Sequence, residues 1–254
     1  TPDGIAIDHE HILDSDSILS LLYLPDSLLV LGGGVIACEY ASIFAELGVD
    51  VTVVDRGDRP LGFLDRELTE AWLRAFEAAG GRYLPRRSVV GAHTDGVRTS
   101  VRLADGAVLQ ADKTLVALGR TPNTAGLDLD AAGVRLGRRG VIAVDGHGCT
   151  SAPGIYAVGD VVGFPSLATT AMEQGRRAAL HALGTPVDQP WSLVPVGIYT
   201  LPEIASVGQT EAQVVAAHGA AAVGRAPFAE VARGVINGDD EGLLKLVADP
   251  RGER

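Results

Sequence analysis

The feature that most constrains this chain is an apolar run that leads straight into a glycine turn and then into a helix. Leu28 to Leu31 is a short apolar run of the kind found in buried parallel strands. It is followed by Gly32-Gly33-Gly34 and then by apolar residues at helical spacing, which end at Gly48. The run Val49 to Val54 consists mostly of β-branched residues, as is typical of a strand, and Asp55 follows it directly. Together these segments predict a complete β–α–β unit.

The turn between the first strand and the helix has the pattern Gly32-x-Gly34-x-x-Ala37. Gly32 permits a tight turn, and Gly34 lets the backbone approach a pyrophosphate. The helix N-terminus adds free N–H groups and a partial positive charge, so the unit is predicted to bind a dinucleotide. Ala37 takes the place of a third glycine, which is a known variant of the pattern. The predicted contacts are Gly32, Gly33, Gly34, Val35, Ile36 and Ala37.

The residues after the second strand leave the choice of nucleotide open. Asp55 is placed to bond ribose hydroxyls, which favours NAD. Arg56 and Arg59 follow directly and are candidates for the 2′-phosphate of NADP. Exposed arginines after a strand are often simply solvated, so the sequence does not decide between the two nucleotides.

The remaining segments predict more strands and helices around this unit. A second helix is expected from Asp65, its N-cap, to Ala79, and Asp95-Gly96 and Asp105-Gly106 are predicted hairpin turns. Further predicted strands are 82–84, 89–93, 97–103, 108–111, 115–118, 155–158, 194–199, 205–207 and 243–247. Further predicted helical segments are a short one at 18–22 and longer ones at 167–183 and 211–217, with a linker at 185–190.

Composition limits the class of protein. The chain has 254 residues, of which 46% are hydrophobic, so it has ample material for a core. Its net charge of −11 argues against nucleic acid or an anionic membrane as a partner. No apolar run is long enough to cross a bilayer and no signal peptide opens the chain, so we expect a cytoplasmic protein.

Cysteine and histidine usage points away from metal sites and disulfides. Cys38 and Cys149 are far apart and form no C-x-x-C pair; we expect Cys38 to pack against the sheet and Cys149 to be incidental. The histidines show no ligand spacing beyond His9-x-His11, so no metal site is predicted. The chain also begins with Thr1 and ends just after the run 243–247, which has no evident partner strand. We therefore expect a piece of a longer protein.

Three segments resemble motifs of the flavoprotein pyridine nucleotide-disulfide oxidoreductase superfamily. Residues 32–39 (GGGVIACE) resemble its nicotinamide-nucleotide fingerprint, 117–123 (ALGRTPN) its exit from the nicotinamide domain, and 154–160 (GIYAVGD) its second flavin motif. The resemblance implies an α/β, Rossmann-like flavoprotein with two dinucleotide-binding domains and part of an α+β dimerisation domain. The implied domains are an FAD-domain end and connector (1–24), an NAD(P)-binding domain (25–120), a returning FAD-domain segment (121–187) and a partial dimerisation domain (188–254).

Within the superfamily, residues 38–44, 61–65, 161–168 and 197–204 resemble the soluble (Si-specific) NAD(P)⁺ transhydrogenases. This resemblance implies flavin-dependent hydride transfer between NADPH and NAD⁺, with FAD, NAD and NADP as cofactors, in a homodimer. One alternative is a dihydrolipoamide-dehydrogenase-like disulfide oxidoreductase, which needs a C-x-x-x-x-C pair that this stretch lacks. A second is an inactive NAD(P)-binding module, because the superfamily's first flavin fingerprint is also absent from this stretch.

The resemblance also implies roles for individual residues. Asp160, after Gly159, matches the acid that bonds the flavin ribityl chain; a turn-capping Asp is the alternative. Glu39 matches a position near the nicotinamide–flavin junction, although a carboxylate there favours a helix whatever its function. The other implied cofactor-binding residues are Gly119 and Arg120, at the domain exit, and Ala168 and Thr169, at a helix N-terminus facing the flavin pyrimidine. Glu203 and Glu211 are expected to be ordinary turn and surface residues.

Overall fold

The computed structural model describes residues 4–187, 195–238 and 241–252. Within it the chain divides into two compact units. The first comprises Thr1–Gly119, Ile198–Ile204 and Gln209–Arg254, and the second comprises Arg120–Gly197 and Ala205–Gly208. The domain boundaries inferred from the sequence stay a prediction.

A five-stranded parallel sheet forms the centre of the first unit, with strand order β1-β8-β2-β3-β4. Its strands are β1 (Ile12–Leu13), β2 (Ser27–Leu31), β3 (Asp50–Val54), β4 (Arg82–Leu84) and β8 (Lys113–Val116). Helices α1 (Val35–Glu46) and α2 (Arg66–Ala78) connect β2 to β3 and β3 to β4. The predicted α/β class is confirmed.

Burial explains why these strands are continuous apolar runs. Leu28, Val30, Leu31, Val51 and Val53 are fully buried. Parallel strands linked by helices are covered on both faces, so neither face needs polar residues. The same rule makes β2 and β3 predictable from the sequence. Strand β1 was not predicted, because a run of two apolar residues is too short to be recognised.

An antiparallel sheet follows in the same unit, made of β5 (Val89–Thr94), β6 (Thr99–Leu103) and β7 (Val108–Ala111). Both predicted Asp-Gly turns are present. Asp95 Oδ1 accepts from the amides of Val97 and Arg98, and Asp105 Oδ1 accepts from the amide of Ala107. These short loops fix the register of the three strands.

The second unit contains the helix α3 (Ala168–Ala182), which confirms the prediction to within one residue at each end. The predicted strand 155–158 is wrong. Its only ladder pairing among the described residues is one bridge between Cys149 and Tyr156, and Ile155 is 40% exposed. Ile155 N donates to Ala152 O in a turn, while the bonds Thr150 N to Ile155 O and Ala157 N to Gly148 O join the segment to residues 148–150 as a short, irregular hairpin. The short apolar run therefore predicts a four-residue strand where the chain forms a single bridge.

The region after residue 195 contains β9 (Val196–Ile198), β10 (Ile204–Ser206), α4 (Glu211–His218), β11 (Ala222–Pro227), α5 (Ala232–Asn237) and β12 (Leu243–Ala248). Strand β9 pairs with β10. Thr210 and Gln213 form a capping box at the start of α4, and Gly219 ends the helix in a left-handed conformation. Residues 188–190 of the predicted linker and Val194 of the predicted strand lie outside the described residues.

The expectation that run 243–247 has no partner is corrected by the structure. This run forms β12, which pairs antiparallel with the earlier strand β11 along its whole length. Strand β11 contains glycine and proline and alternates poorly, so its sequence gave little indication of a strand.

A buried lysine ties β12 to the start of α2 and of α4. The Lys245 side chain is only 4% exposed, and its Nζ lies 2.8 Å from Asp65, 2.7 Å from Glu67 and 2.7 Å from Glu211. Arg225 adds two contacts to Glu67 and one to Glu211. The acids lie at the first turns of their helices, where a negative charge is already favoured. We call these five residues the Lys245 cluster, and it corrects the expectation that Glu211 is an ordinary surface residue.

Replacing the central cation should be costly. We expect Lys245→Met to lower the free energy of unfolding by about 2–4 kcal/mol, because it leaves three carboxylates without their shared partner. Arg66→Met is the matched control: Arg66 lies on α2 like Glu67, the ion pairs it makes among the described residues, with Asp58 and Glu70, are exposed, and its loss should cost under about 1 kcal/mol. Urea denaturation of both variants tests this. A loss at Lys245 no larger than that at Arg66 would contradict it.

The Lys245 cluster also predicts acid sensitivity. Hydrogen bonds from Arg225 and then Lys245 lower the pKa of Glu67 from 4.5 to about 2. Because the pKa in the folded chain lies below its unfolded value, the contribution of Glu67 is complete above pH 4.5 and is lost as the pH falls towards 2. The stability difference between the wild type and Glu67→Gln should therefore shrink across this window. A difference that stays constant during acid titration would rule out the pairing.

Candidate nucleotide-binding site

The glycine turn is fixed by a close approach between two strand ends. Gly32 has a φ of +114°, and a Cβ placed on it would lie 2.4 Å from the carbonyl oxygen of Ala117. Its amide donates to Val54 O at 2.8 Å. No other residue type fits here, so β2, β3 and the segment after β8 meet at one point.

The N-terminus of α1 is open and uncapped. Gly34 is the N-cap residue with a φ of −85°, and a Cβ built on it would meet no atom within 4 Å. No side chain caps this end and the first turn contains no acidic residue. The first amides of a helix have no intrahelical partner, so Val35, Ile36 and Ala37 leave N–H groups free for an anion. Ala37 itself is fully buried.

A cavity of about 620 Å³ lies over this turn. It is bordered by the glycine turn, the end of β3, the loop after it and the segment after β8. The predicted residues on its walls are Gly32, Gly33, Gly34, Asp55, Arg56, Arg59 and Gly119. Gly119 has a φ of +124° and open space around its Cα. The structure therefore brings most of the sequence-predicted nucleotide residues to one cavity.

Asp55 is held at the end of β3 by its neighbours. The Tyr83 hydroxyl donates to Asp55 Oδ2 at 3.0 Å. A Cβ on Gly33 would lie 2.4 Å from the same oxygen, and one on Gly57 would lie 2.7 Å from it. The carboxylate therefore lies against glycine backbone on two sides. Tyr83 was not identified from the sequence, because only the pairing of β4 with β3 brings it near Asp55.

The arginines after β3 differ in their surroundings. Arg59 donates to Leu64 O at 3.1 Å, Thr69 Oγ1 at 3.0 Å and Gly62 O at 2.8 Å, and so braces the loop before α2. As a phosphate ligand it stays a prediction, one that needs some of these bonds to break. Arg56 is exposed and has no polar partner within the described ranges. Arg87, which the sequence analysis missed, also lines the cavity and pairs with Asp105.

Glu39 lies in the second turn of α1 and binds backbone. Its Oε1 accepts from the Tyr199 amide at 2.8 Å, and one helical turn later Ser42 Oγ accepts from the Leu201 amide at 3.0 Å. Both side chains hold the loop that follows β9. The catalytic role predicted for Glu39 stays a prediction.

The two cysteines differ in environment. Cys38 is fully buried, and its desolvation raises the pKa of the thiol, so it is not a nucleophile at neutral pH. This agrees with the expected packing against the sheet. Cys149 Sγ lies 3.7 Å from His181 Nδ1, which also bonds the Tyr156 hydroxyl at 2.9 Å. Within the residues that the structure describes, no group of three or more potential ligands is arranged to hold a metal.

The second unit contains the other predicted cofactor residues. Gly159 has a φ of +80° and donates its amide to Gln174 Oε1 at 2.6 Å. Asp160 lies 3.6 Å from Arg120, and both line a cavity of about 560 Å³. Ala168 and Thr169 open α3, whose first turn has no capping side chain and no acid. The next residue, Thr170, has a buried hydroxyl without a partner in the described part of the chain.

The described ranges contain no helix that is both long and apolar enough to cross a membrane. The expected cytoplasmic location stays a prediction.

The open turn makes a direct prediction. We expect Gly34→Ala to weaken NADH binding at least about tenfold, because the methyl group occupies space where a phosphate would meet the backbone. The folded chain has room for the methyl group, so the unfolding free energy should change by no more than about 1 kcal/mol. NADH fluorescence titration measures the effect. Gly146→Ala, also in open space but in the other unit, is the control, and equal binding by both variants would contradict the assignment.

Comparison with known proteins places this geometry in a family. A family model described as pyridine nucleotide-disulphide oxidoreductase matches residues 3–175, and one described as the dimerisation domain of the same family matches residues 194–254. The soluble pyridine nucleotide transhydrogenase of Mycobacterium bovis (strain BCG / Pasteur 1173P2) is 44% identical over 246 residues, 97% of this chain and 53% of the relative. That of Marinomonas sp. (strain MWYL1) is 42% identical over 251 residues, with the same coverage.

Solved structures agree. LpdA from Mycobacterium tuberculosis matches with a TM-score of 0.89 and 35% identity, over 95% of this chain and 53% of that chain. The HOCl-induced flavoprotein disulfide reductase RclA from Escherichia coli matches with a TM-score of 0.88 and 29% identity, over 100% and 59%. The chain spans about half the length of the curated relatives it matches. Because the family model covers more than half of the chain, the chain belongs to the pyridine nucleotide-disulphide oxidoreductase family.

Proposed function

We propose that this chain carries the nicotinamide-nucleotide site of an enzyme that transfers hydride between NADPH and NAD⁺ through a bound flavin. The observation that carries the proposal is the uncapped N-terminus of α1, with Gly34 open beside it, in the same cavity as Asp55. The curated relatives named as soluble pyridine nucleotide transhydrogenases support the choice of reaction.

The nucleotide site fits the chemistry of NAD(P). Three free amides and the helix dipole suit a diphosphate, and Gly34 has the open backbone that such a contact requires. Asp55, one helix and one strand further on, is in the position to accept from ribose hydroxyls. Arg56 provides positive charge on the same cavity for a 2′-phosphate, and Arg87, which pairs with Asp105, also lines it.

The second unit fits part of a flavin site. Gly159 adopts a conformation that favours glycine, and Asp160 follows it beside a cavity. The uncapped start of α3 suits the negative charge of a reduced flavin. The Thr170 hydroxyl in that first turn is buried and has no hydrogen-bond partner among the described residues, so it is a further polar group that a bound cofactor would satisfy. We propose that Asp160, Ala168 and Thr169 contact FAD, with Gly159 and Arg120 beside them.

The chemistry needs little from side chains. FAD, when bound, supplies the group that takes hydride from one nucleotide and passes it to the other. This chain's residues bind and orient: α1 amides hold the diphosphate, Asp55 holds the ribose, and Gly119 lets the backbone approach the nucleotide. In this scheme Glu39 stays a candidate for the region where nicotinamide and flavin meet, although its carboxylate already holds the Tyr199 amide.

We further propose that the protein works as a homodimer, because the dimerisation-domain model matches residues 194–254. The proposed division of the chain remains 1–24, 25–120, 121–187 and 188–254. The net charge of −11 supports the exclusion of nucleic acid and anionic membranes as partners.

A second candidate is a disulfide oxidoreductase, favoured by the likeness to the flavoprotein disulfide reductase RclA. This reaction needs a reactive pair of cysteines. Of the two cysteines in the chain, Cys38 is buried with its pKa raised, and Cys149 is far away in sequence. A disulfide reductase would therefore need thiols from outside this sequence.

Hydride exchange tests the proposal. We expect the enzyme that contains this sequence to purify with FAD absorbance and to reduce a thionicotinamide analogue of NAD⁺ with NADPH, without added thiols or disulfides. The Gly34→Ala variant should lose most of this exchange and keep its flavin, because Gly34 belongs to the first unit and the residues proposed to contact FAD belong to the second. Exchange that requires lipoamide or another disulfide would support the second candidate, and a colourless protein without exchange would leave a nucleotide-binding module.

A further inference from the structure

Tyr83 is placed to control Asp55 although the proposed reaction assigns it no role. It lies on β4, next to β3, and its hydroxyl donates to Asp55 Oδ2 at 3.0 Å. The side chain is buried. Burial and the charge of Asp55 both raise the pKa of the phenol, so it remains a protonated donor at neutral pH.

The backbone around Asp55 leaves its carboxylate little room to move away from Tyr83. Its Oδ2 lies so close to the backbone of Gly33 and Gly57 that a Cβ on either residue would overlap it. Oδ1 has no hydrogen-bond partner in the described part of the chain. A nucleotide therefore meets a carboxylate with one oxygen occupied by Tyr83 and one oxygen free.

This arrangement affects the two nucleotides differently. NAD has a hydroxyl at the adenosine 2′ position, which a carboxylate accepts, and NADP has a phosphate there, which a carboxylate repels. A hydrogen bond from a buried hydroxyl uses one acceptor of the carboxylate, and the positive end of the O–H dipole offsets part of its negative field. The repulsion of a phosphate is therefore reduced, while Oδ1 still accepts from a ribose.

Two arginines on the same cavity also affect the preference between NAD and NADP. Arg56 has no polar partner among the described residues and borders the cavity. Arg87 is anchored by its amide to Asp55 O at 2.8 Å, so its side chain starts beside the acid. A transferring enzyme that uses both nucleotides at one site needs this kind of weak discrimination.

We propose that Tyr83 is a positioning residue that holds Asp55 and offsets part of its negative field, so that one site accepts both NAD(H) and NADP(H). This inference rests on the proposed nucleotide site. It goes further by naming the interaction that sets the preference between the two nucleotides.

Tyr83→Phe removes one oxygen atom and leaves the ring in place, so it isolates the hydrogen bond. Dissociation constants for NADH and NADPH would be measured by fluorescence titration of the 254-residue chain. We expect the ratio of the NADPH constant to the NADH constant to rise by about three- to tenfold. The matched control is Tyr40→Phe, which removes a hydroxyl that donates to Ser15 O at 3.0 Å, away from the cavity, and should leave the ratio unchanged.

A double-mutant cycle separates positioning from a general structural effect. In an Asp55→Asn background, Tyr83→Phe should change the ratio by less than about twofold, because the charge that Tyr83 moderates is gone. Site-specific 3-fluorotyrosine at position 83, a stronger donor with the same ring, should lower the ratio. This second variant keeps the test valid if Tyr83→Phe fails to fold.

The outcomes are distinct. Equal weakening of both nucleotides by Tyr83→Phe, or a shifted ratio that persists in Asp55→Asn, would show a merely structural hydroxyl and overturn the inference, while the proposed site would stand. A wild-type chain that binds neither nucleotide would overturn the proposed site and this inference together.

Discussion

The close passage of Gly32 beside Ala117 is the constraint on which the candidate site depends. Because no Cβ fits between this turn and the carbonyl oxygen, β2 ends at the same point as the segment after β8. The helix that starts three residues later, at Val35, must then aim its free amides over that junction. The glycines, Asp55 and Gly119 reach one cavity as a consequence of parallel strands ending at one edge.

Local patterns were sufficient to predict the elements that carry this edge. Buried parallel strands gave continuous apolar runs, so β2 and β3 were recognisable, and Asp65 capped α2 as its position indicated. The Asp-Gly turns gave the antiparallel sheet. The prediction for segment 155–158 was wrong because four apolar residues do not determine how much of a run pairs, and here only one bridge of a short hairpin forms.

Interactions between distant segments were not predictable from the same patterns. Lys245 meets Asp65 across 180 positions, and Tyr83 meets Asp55 through strand pairing. Arg59 was expected beside a phosphate, but its guanidinium binds a nearby loop, because three backbone and hydroxyl oxygens are within its reach. The contacts of each of these side chains arise only in the folded chain, and the spacing of residues along the sequence does not indicate them.

In the proposed site, the amides of Val35, Ile36 and Ala37 receive a cofactor diphosphate. Hydrogen–deuterium exchange of these backbone amides, with and without saturating NADH, tests it most directly. We expect exchange to slow at residues 35–37 when NADH binds, while exchange in the C-terminal turn of α1 is unchanged. Binding of NADH with no slowing at these three amides would contradict it.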